Sequence, residues 1–179
     1  MRLFSYVLIN FCLSFQICLL LLDTCEYLDE KCACESINRE NILYIQIKCS
    51  SISNVLNDFP NFNKLLNSNN KIHHSSTIFN LEFINKIYPI IPNNSFLYIK
   101  AEKLILSNNQ IELVEELGFY GLEKLKFLDL KNNKLKVVFI NFLFTLEQLF
   151  MDNNQIELID ENLFKNLENL NRVILIGNT

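Results

Sequence analysis

Residues 103–111 read KLILSNNQI, and this stretch sets the frame for the second half of the chain. Its residues follow the order L-x-L-x-x-N-x-I, with Leu104, Leu106, Asn109 and Ile111 in the specified positions. The frame returns at residues 128–135 and 149–156 and begins again at 173–178. The asparagines of the four frames, at positions 109, 133, 154 and 178, are 24, 21 and 24 residues apart. This regularity predicts an array of stacked structural units.

A period of about 20–29 residues carrying L-x-x-L-x-L-x-x-N-x-L is typical of leucine-rich repeats. The chain closely resembles that family, most specifically over residues 101–178. The resemblance implies an α/β fold, a leucine-rich repeat solenoid with parallel strands on a concave face. The convex returns between strands would be irregular or short helical segments. Because one coil cannot bury its own apolar residues, at least three coils are needed for stability.

The second asparagine of each Asn-Asn pair is predicted to satisfy backbone groups where the chain leaves the strand. An amide side chain carries both donors and acceptors, so it can pair with groups inside the coil. Stacked from coil to coil, these residues would form a structural asparagine ladder of Asn109, Asn133, Asn154 and Asn178. The first asparagine of each pair is expected to point to the concave side.

Residues 1–22 hold Arg2 followed by a nearly uninterrupted apolar run, which fits a secretory signal peptide. The run is long for this purpose and no small-residue cleavage motif follows it. The alternative is therefore an uncleaved signal anchor in a membrane. With a cleaved signal, the chain is expected to be secreted and extracellular.

Four cysteines follow this segment, Cys25, Cys32, Cys34 and Cys49, and an even number behind a secretory segment implies disulfides. Four cysteines allow three pairings. A zinc site is disfavoured, since the spacings lack C-x-x-C pairs and no histidine is near. The pattern resembles the family's N-terminal cysteine cap, here residues 23–60, and that resemblance implies the pairs Cys25–Cys34 and Cys32–Cys49. Alternating residues at 42–48 predict a cap strand.

Residues 61–78 are interpreted as a linker or degenerate repeat, and residues 79–179 as repeats, the last one incomplete. The first repeat, 79–100, is imperfect. Ile87, Ile90 and Phe96 are matched to Ile111, Val114 and Phe119, with one extra residue before Phe96. Its ladder residue is either Asn85 or absent. Asn93 begins the sequon Asn-Asn-Ser and is a candidate glycosylation site.

Composition disfavours several classes of function. The net charge of −4 and the absence of a basic tract argue against nucleic-acid binding. There is no nucleophile elbow, phosphate-binding glycine loop or metal cluster, so neither an enzyme nor a cofactor is predicted. The paired His73 and His74 lie in a polar stretch and are interpreted as a solvated loop.

The residues between the buried strand positions are predicted to face the concave surface in three columns. Phe127, Phe150 and Ile174 in these columns are apolar where solvent is expected, and the candidate binding residues are Phe127, Asp129, Lys131, Phe150, Asp152 and Ile174. Exposed aromatic patches often mark protein-binding surfaces. The alternatives are scattered surface apolarity or lateral packing between neighbouring coils.

Two functions follow from these features. The first is a secreted module that recognises an extracellular protein or glycan through its concave face. The second is an accessory or structural subunit whose open edge, with Val173 and Leu175, docks a partner chain. The incomplete last frame also suggests a truncated gene model or a truncated receptor ectodomain. Membrane association is expected only if residues 1–22 remain as an anchor.

Overall fold

The computed structural model describes residues 32–39, 42–49, 77–97 and 99–179. Within these ranges the chain forms nine strands: β1 (Cys32–Arg39), β2 (Ile42–Cys49), β3 (Thr77–Phe83), β4 (Ile90–Ile91), β5 (Ala101–Ile105), β6 (Leu113–Val114), β7 (Phe127–Asp129), β8 (Gln148–Phe150) and β9 (Arg172–Ile174). Seven of them make one sheet in the order β1-β2-β3-β5-β7-β8-β9. Only β1 and β2 pair antiparallel. β4 and β6 form a separate parallel pair.

Each parallel step of the main sheet is one coil of a solenoid. Coils 1 to 5 begin with β3, β5, β7, β8 and β9, and the segment between two such strands is the return. In coils 2 to 4 the paired leucine or methionine positions of the frame are completely buried: Leu104, Leu106, Leu128, Leu130, Leu149 and Met151. Since each side chain stacks on its counterpart one coil away, the core is continuous from β2 to β8.

The predicted cap strand at 42–48 is β2, which ends at Cys49. Its residues Ile45, Ile47 and Cys49 are buried. They lie in register with Phe79, Leu81 and Phe83 of β3, so β2 covers the open end of the first coil. The predicted signal segment, Cys25 and the linker at 61–76 lie outside the described residues.

The predicted helical component of the fold has no counterpart in the described residues, where the returns are successive turns. Leu122 donates its backbone N–H to Phe119, and Leu125 donates to Leu122, each three residues apart. The same pattern recurs in the next coil, from Leu143 to Ile140 and from Leu146 to Leu143. Coils of 21 to 24 residues leave only single turns of this kind between one strand and the next.

The proposed alignment of the first coil is wrong by one residue. Ile91, not Ile90, pairs with Val114 in the small sheet, and it is Ile91 that is buried. Leu81 pairs with Leu104, so the offset is 23 residues from the strand through Phe96 and Phe119, with no extra residue. Three isoleucines in five positions misled the pattern match, because any of them could fill an apolar site.

Coil 3 has the shortest return. Five steps lead from Leu135 to Ile140, whereas eight lead from Ile111 to Phe119 in coil 2. All four of these side chains are nevertheless buried. The return of coil 3 is therefore shorter in its outer turn, while its inward-pointing side chains make the same kind of core contacts as those of coil 2.

Candidate functional site

The four ladder asparagines connect successive coils through their side chains. Asn133 accepts the backbone N–H groups of Asn109 at 3.1 Å and Ile111 at 2.9 Å, both in the preceding coil. Its amide nitrogen donates to the carbonyl oxygens of Leu106 and Leu130, each at 2.9 Å. Asn109, Asn154 and Asn178 make the corresponding bonds to a backbone N–H and carbonyl of their preceding coils. This arrangement pairs buried backbone groups that the turn would otherwise leave unpaired.

In the first coil the ladder position is occupied by Lys86. Its side chain is only 2% exposed, and its backbone N–H donates to the Oδ1 atom of Asn109 at 2.7 Å. Asn85 lies in the position of the first asparagine of the later pairs. The two predicted alternatives for this coil were that Asn85 is the ladder residue or that no ladder asparagine exists, and the second is correct.

The first asparagine of each pair has a backbone role that sequence reasoning missed. Asn85, Asn108, Asn132 and Asn153 all have φ between 53° and 60°. Asparagine is among the few residues other than glycine that adopt this left-handed conformation readily. In the last frame the position is taken by Gly177, with φ of 77°. The presence of glycine in place of the first asparagine in the last frame was the sequence signal that could have revealed this backbone role.

The strand register brings the candidate binding residues together on the outer face of the main sheet, termed here the sheet face. One column is Lys103, Phe127, Gln148 and Arg172, and the next is Ile105, Asp129, Phe150 and Ile174. The third column is Ser107, Lys131, Asp152 and Ile176, whose registration follows from backbone bonds between neighbouring turns.

Phe127 and Phe150 form the centre of this face. Their ring centroids are 5.1 Å apart and the planes are inclined by 37°. Phe150 is only 8% exposed, whereas Phe127 is half-buried. The expectation of an open aromatic patch is therefore wrong for Phe150, because neighbouring side chains from other coils cover its ring. Lateral packing between coils accounts for that ring, and Phe127 remains accessible.

Three cationic side chains lie over the two rings. The Lys103 Nζ atom is 5.0 Å from the Phe127 centroid. The Lys131 Nζ atom and the Arg172 guanidinium carbon are 5.3 Å and 5.1 Å from the Phe150 centroid. Such cation–π contacts are each worth about 0.5–1 kcal/mol at exposed sites. In the part of the chain that the structure describes, Lys103 and Arg172 have no carboxylate partner.

Two carboxylates lie beside the rings. Asp129 accepts the backbone N–H of Lys131 at 3.0 Å, and its other oxygen is 3.5 Å from the Lys131 Nζ atom. Burial raises the pKa of Asp129 above its ordinary value, although these contacts with Lys131 oppose the shift. Asp152 has a buried Oδ1 atom without a hydrogen-bond partner among the described residues.

The glycosylation candidate Asn93 lies on the return of coil 1 and is exposed. Its backbone N–H donates to the Glu115 carboxylate, and its side-chain oxygen accepts the Leu117 N–H, both at 2.7 Å. Ser95 of the sequon is buried and donates to the Pro92 carbonyl. The side-chain nitrogen to which a glycan would attach takes part in neither Asn93 bond.

A family model described as leucine rich repeat matches residues 99–151, which contain the regular coils. No curated protein matches the chain. The family match and the parallel-strand solenoid together support a leucine-rich repeat protein, and this architecture is typical of protein-interaction modules rather than of enzymes. The described ranges contain no cluster of three or more potential metal ligands. They also contain no helix that is long and apolar enough to cross a membrane.

Proposed function

We propose that this chain is a secreted, extracellular binding module that captures a protein partner on its sheet face. The observation that best supports this proposal is the Phe127–Phe150 ring pair, over which Lys103, Lys131 and Arg172 lie. Aromatic and arginine side chains at the centre of a rigid surface are the residue types that most often dominate protein–protein affinity.

The charges of this face favour an acidic partner surface. Lys103, Lys131 and Arg172 outnumber Asp129 and Asp152, although the whole chain carries a net charge of −4. A partner carboxylate could pair with Lys103 or Arg172. Complementary charges of this kind contribute mainly to association rate and specificity.

Secretion and the cysteine cap are part of the same proposal. The apolar segment at residues 1–22 supports export, and Cys49 participates in a disulfide. The antiparallel register places Cys32 opposite Cys49. This supports the pairing of Cys32 with Cys49 and leaves Cys25 to Cys34. A glycan partner is the alternative ligand class, for which the accessible part of the Phe127 ring would also provide a stacking surface.

The test uses the chain secreted from a eukaryotic host and immobilised. It is probed with cell-surface and secreted proteins of the source organism, with and without prior removal of their glycans. We expect a retained protein whose affinity falls about 10- to 30-fold with Phe127→Ala, as for a hot-spot residue, and also falls with Arg172→Ala. Phe127 is chosen because replacing the buried Phe150 would also disturb packing.

Phe144→Ser, which removes an exposed side chain from the return of coil 3, is the matched control and should leave retention unchanged. Equal retention by wild type and Phe127→Ala would contradict the proposal, as would retention that depends on the partner's glycans alone. A peptide map of the same preparation without reduction should contain the Cys32–Cys49 linkage.

A further inference from the structure

A row of exposed apolar residues crosses the returns of coils 1 to 4. Its members occupy the same position in each coil: Ile90, Leu113, Val137 and Leu158. They are 43%, 42%, 53% and 84% exposed. Ile90 and Leu113 are direct neighbours in the small sheet, and their buried successors Ile91 and Val114 anchor the row to the core. Single exposed apolar residues are ordinary, but an aligned series is typical of an interaction surface.

The short return of coil 3 opens a notch at one end of this row. A cavity of about 320 Å³ lies between coils 3 and 4, with Val137 and Leu158 in its lining. Val138, Phe139, Ile159 and Leu163 are among its other apolar lining residues, while Asn141 and Asp160 add polar groups. The volume is at the low end of the range of about 300–1,000 Å³ for ligand pockets. It is sufficient for one large apolar side chain.

The charges beside the row are mainly acidic. Within three residues of its members lie six carboxylates (Glu112, Glu115, Glu116, Glu157, Asp160 and Glu161) and two lysines (Lys134 and Lys136). One lysine is already engaged, since the Lys134 Nζ atom is 3.5 Å from Glu112. An apolar surface with an acidic border is complementary to a segment that is apolar at its centre and basic at its edges.

The spacing of the row matches a helix laid across the coils. Neighbouring parallel strands are about 4.8 Å apart, whereas successive turns of an α-helix are about 5.4 Å apart. A helix of about three turns therefore places one apolar side chain on each of four successive coils. Recognition of this type uses side chains at positions i, i+3 or i+4, and i+7.

We propose that the returns of coils 1 to 4 form a second binding surface, which receives a basic amphipathic helix of a partner protein. One large apolar side chain of the helix enters the notch between coils 3 and 4. Its flanking lysine or arginine residues lie against the carboxylates of Glu157 and Asp160. This surface is separate from the sheet face, and its use does not depend on the function proposed above.

The probe is a fluorescein-labelled 14-residue peptide of leucine and lysine, with leucines at helical spacing. We expect its binding, measured by fluorescence anisotropy, to weaken at least about 10-fold with Leu158→Ser, which removes the most exposed member of the row. Val138→Phe should have a similar effect, because the larger ring fills the notch from inside. Binding should also weaken as salt is raised.

Two control variants test whether binding of the peptide is confined to the row. Phe144→Ser removes another exposed apolar side chain of coil 3, 52% exposed and outside the row, and should not change binding. Phe127→Ala on the sheet face should not change it either. All variants are produced in the same host, so that any glycosylation of Asn93 is the same in each. Thermal unfolding verifies that each variant is folded.

Several results would overturn the proposal. Equal binding of a scrambled peptide of the same composition, or of a leucine–glutamate peptide, would show that amphipathic basic character is not recognised. Unchanged affinity in Leu158→Ser would place the contact elsewhere. Sedimentation of wild type as a dimer that Leu158→Ser abolishes would assign the row to a second copy of the chain. Leu158-dependent binding to anionic lipid vesicles without affinity for the peptide would assign it to a membrane surface.

Discussion

The strand side and the return side of the solenoid follow different rules. On the strand side, coils 2 to 4 repeat the same three strand positions and the same buried pair of apolar residues, followed by a ladder asparagine. On the return side the coils differ in length, and apart from the apolar row their exposed residues differ in chemistry. The strand side is held by hydrogen bonds between neighbouring coils, so a length change there would break many bonds at once.

This difference explains where the two proposed surfaces lie. The sheet face presents rings and cations whose backbone positions are set by the ladder, so its geometry is rigid. The notch lies on the return side, where the return of coil 3 is three residues shorter than that of coil 2. The apolar side chains of the shorter return still point into the core, so the space is left on the outside. Variation is tolerated where loops face outward, and it is there that a repeat protein can acquire a second site.

The largest effect is expected from breaking the ladder with Asn133→Ala. The variant removes the side-chain partners of the Asn109 and Ile111 N–H groups and of the Leu106 carbonyl group, while the Leu130 carbonyl keeps its bond from Asn154. Each buried group left unpaired costs about 1–3 kcal/mol, so the free energy of unfolding should fall by at least about 3 kcal/mol. Urea denaturation followed by circular dichroism measures this change.

The neighbouring Asn132→Gly variant is the control for that experiment. Glycine adopts the positive φ of 53° observed at this position, and only the exposed side-chain bond from Asn153 is lost. Its stability should remain within about 0.5 kcal/mol of wild type. Equal losses in the two variants would contradict the dominance of the ladder, because they would show that the exposed Asn132 side chain contributes as much to stability as the buried bonds of Asn133.

The sequence predicted the strand side more completely than the return side. The columns of the sheet face were predictable because parallel register follows from the L-x-L-x-x-N spacing alone. The coverage of Phe150 was not, since it depends on where the long Lys131 and Arg172 side chains from neighbouring positions come to rest. The row at Ile90 was missed because Ile90 and Ile91 are chemically equivalent in a pattern, and only the pairing with Leu113 and Val114 distinguishes them.

A smaller effect is expected on the return side from Gly118→Ala. An added Cβ would lie 2.7 Å from the Val114 Cγ1 atom, 3.0 Å from the Glu115 carbonyl and 3.2 Å from the Ile91 carbonyl. The Val114 side chain and the backbone of this return must shift to make room, and such overpacking costs about 1–3 kcal/mol. Thermal unfolding should show a lower midpoint, whereas Lys124→Ala, on the same return but exposed, should not. An unchanged midpoint in Gly118→Ala would show that the Val114 side chain and the return backbone can accommodate a methyl group without loss of stability.

The smallest effect should come from Asp129→Asn on the sheet face, and it should depend on pH. Because burial raises the pKa of Asp129 above 3.8, the folded state holds this proton more tightly than the unfolded state. The contribution of Asp129 to stability is therefore most favourable at low pH and is lost as pH rises from about 3.8 through the higher pKa of the folded state. The asparagine amide can still accept the Lys131 N–H, and the lost ion pair is worth only about 0–1 kcal/mol.

Unfolding free energies measured from pH 3 to 7 should show that the Asp129→Asn variant becomes more stable relative to wild type as pH rises. The control Glu157→Gln, which changes an exposed carboxylate on the return side, should not show this relative gain. A variant that instead loses stability relative to wild type towards neutral pH would mean that the Lys131 ion pair outweighs the cost of burying the carboxylate.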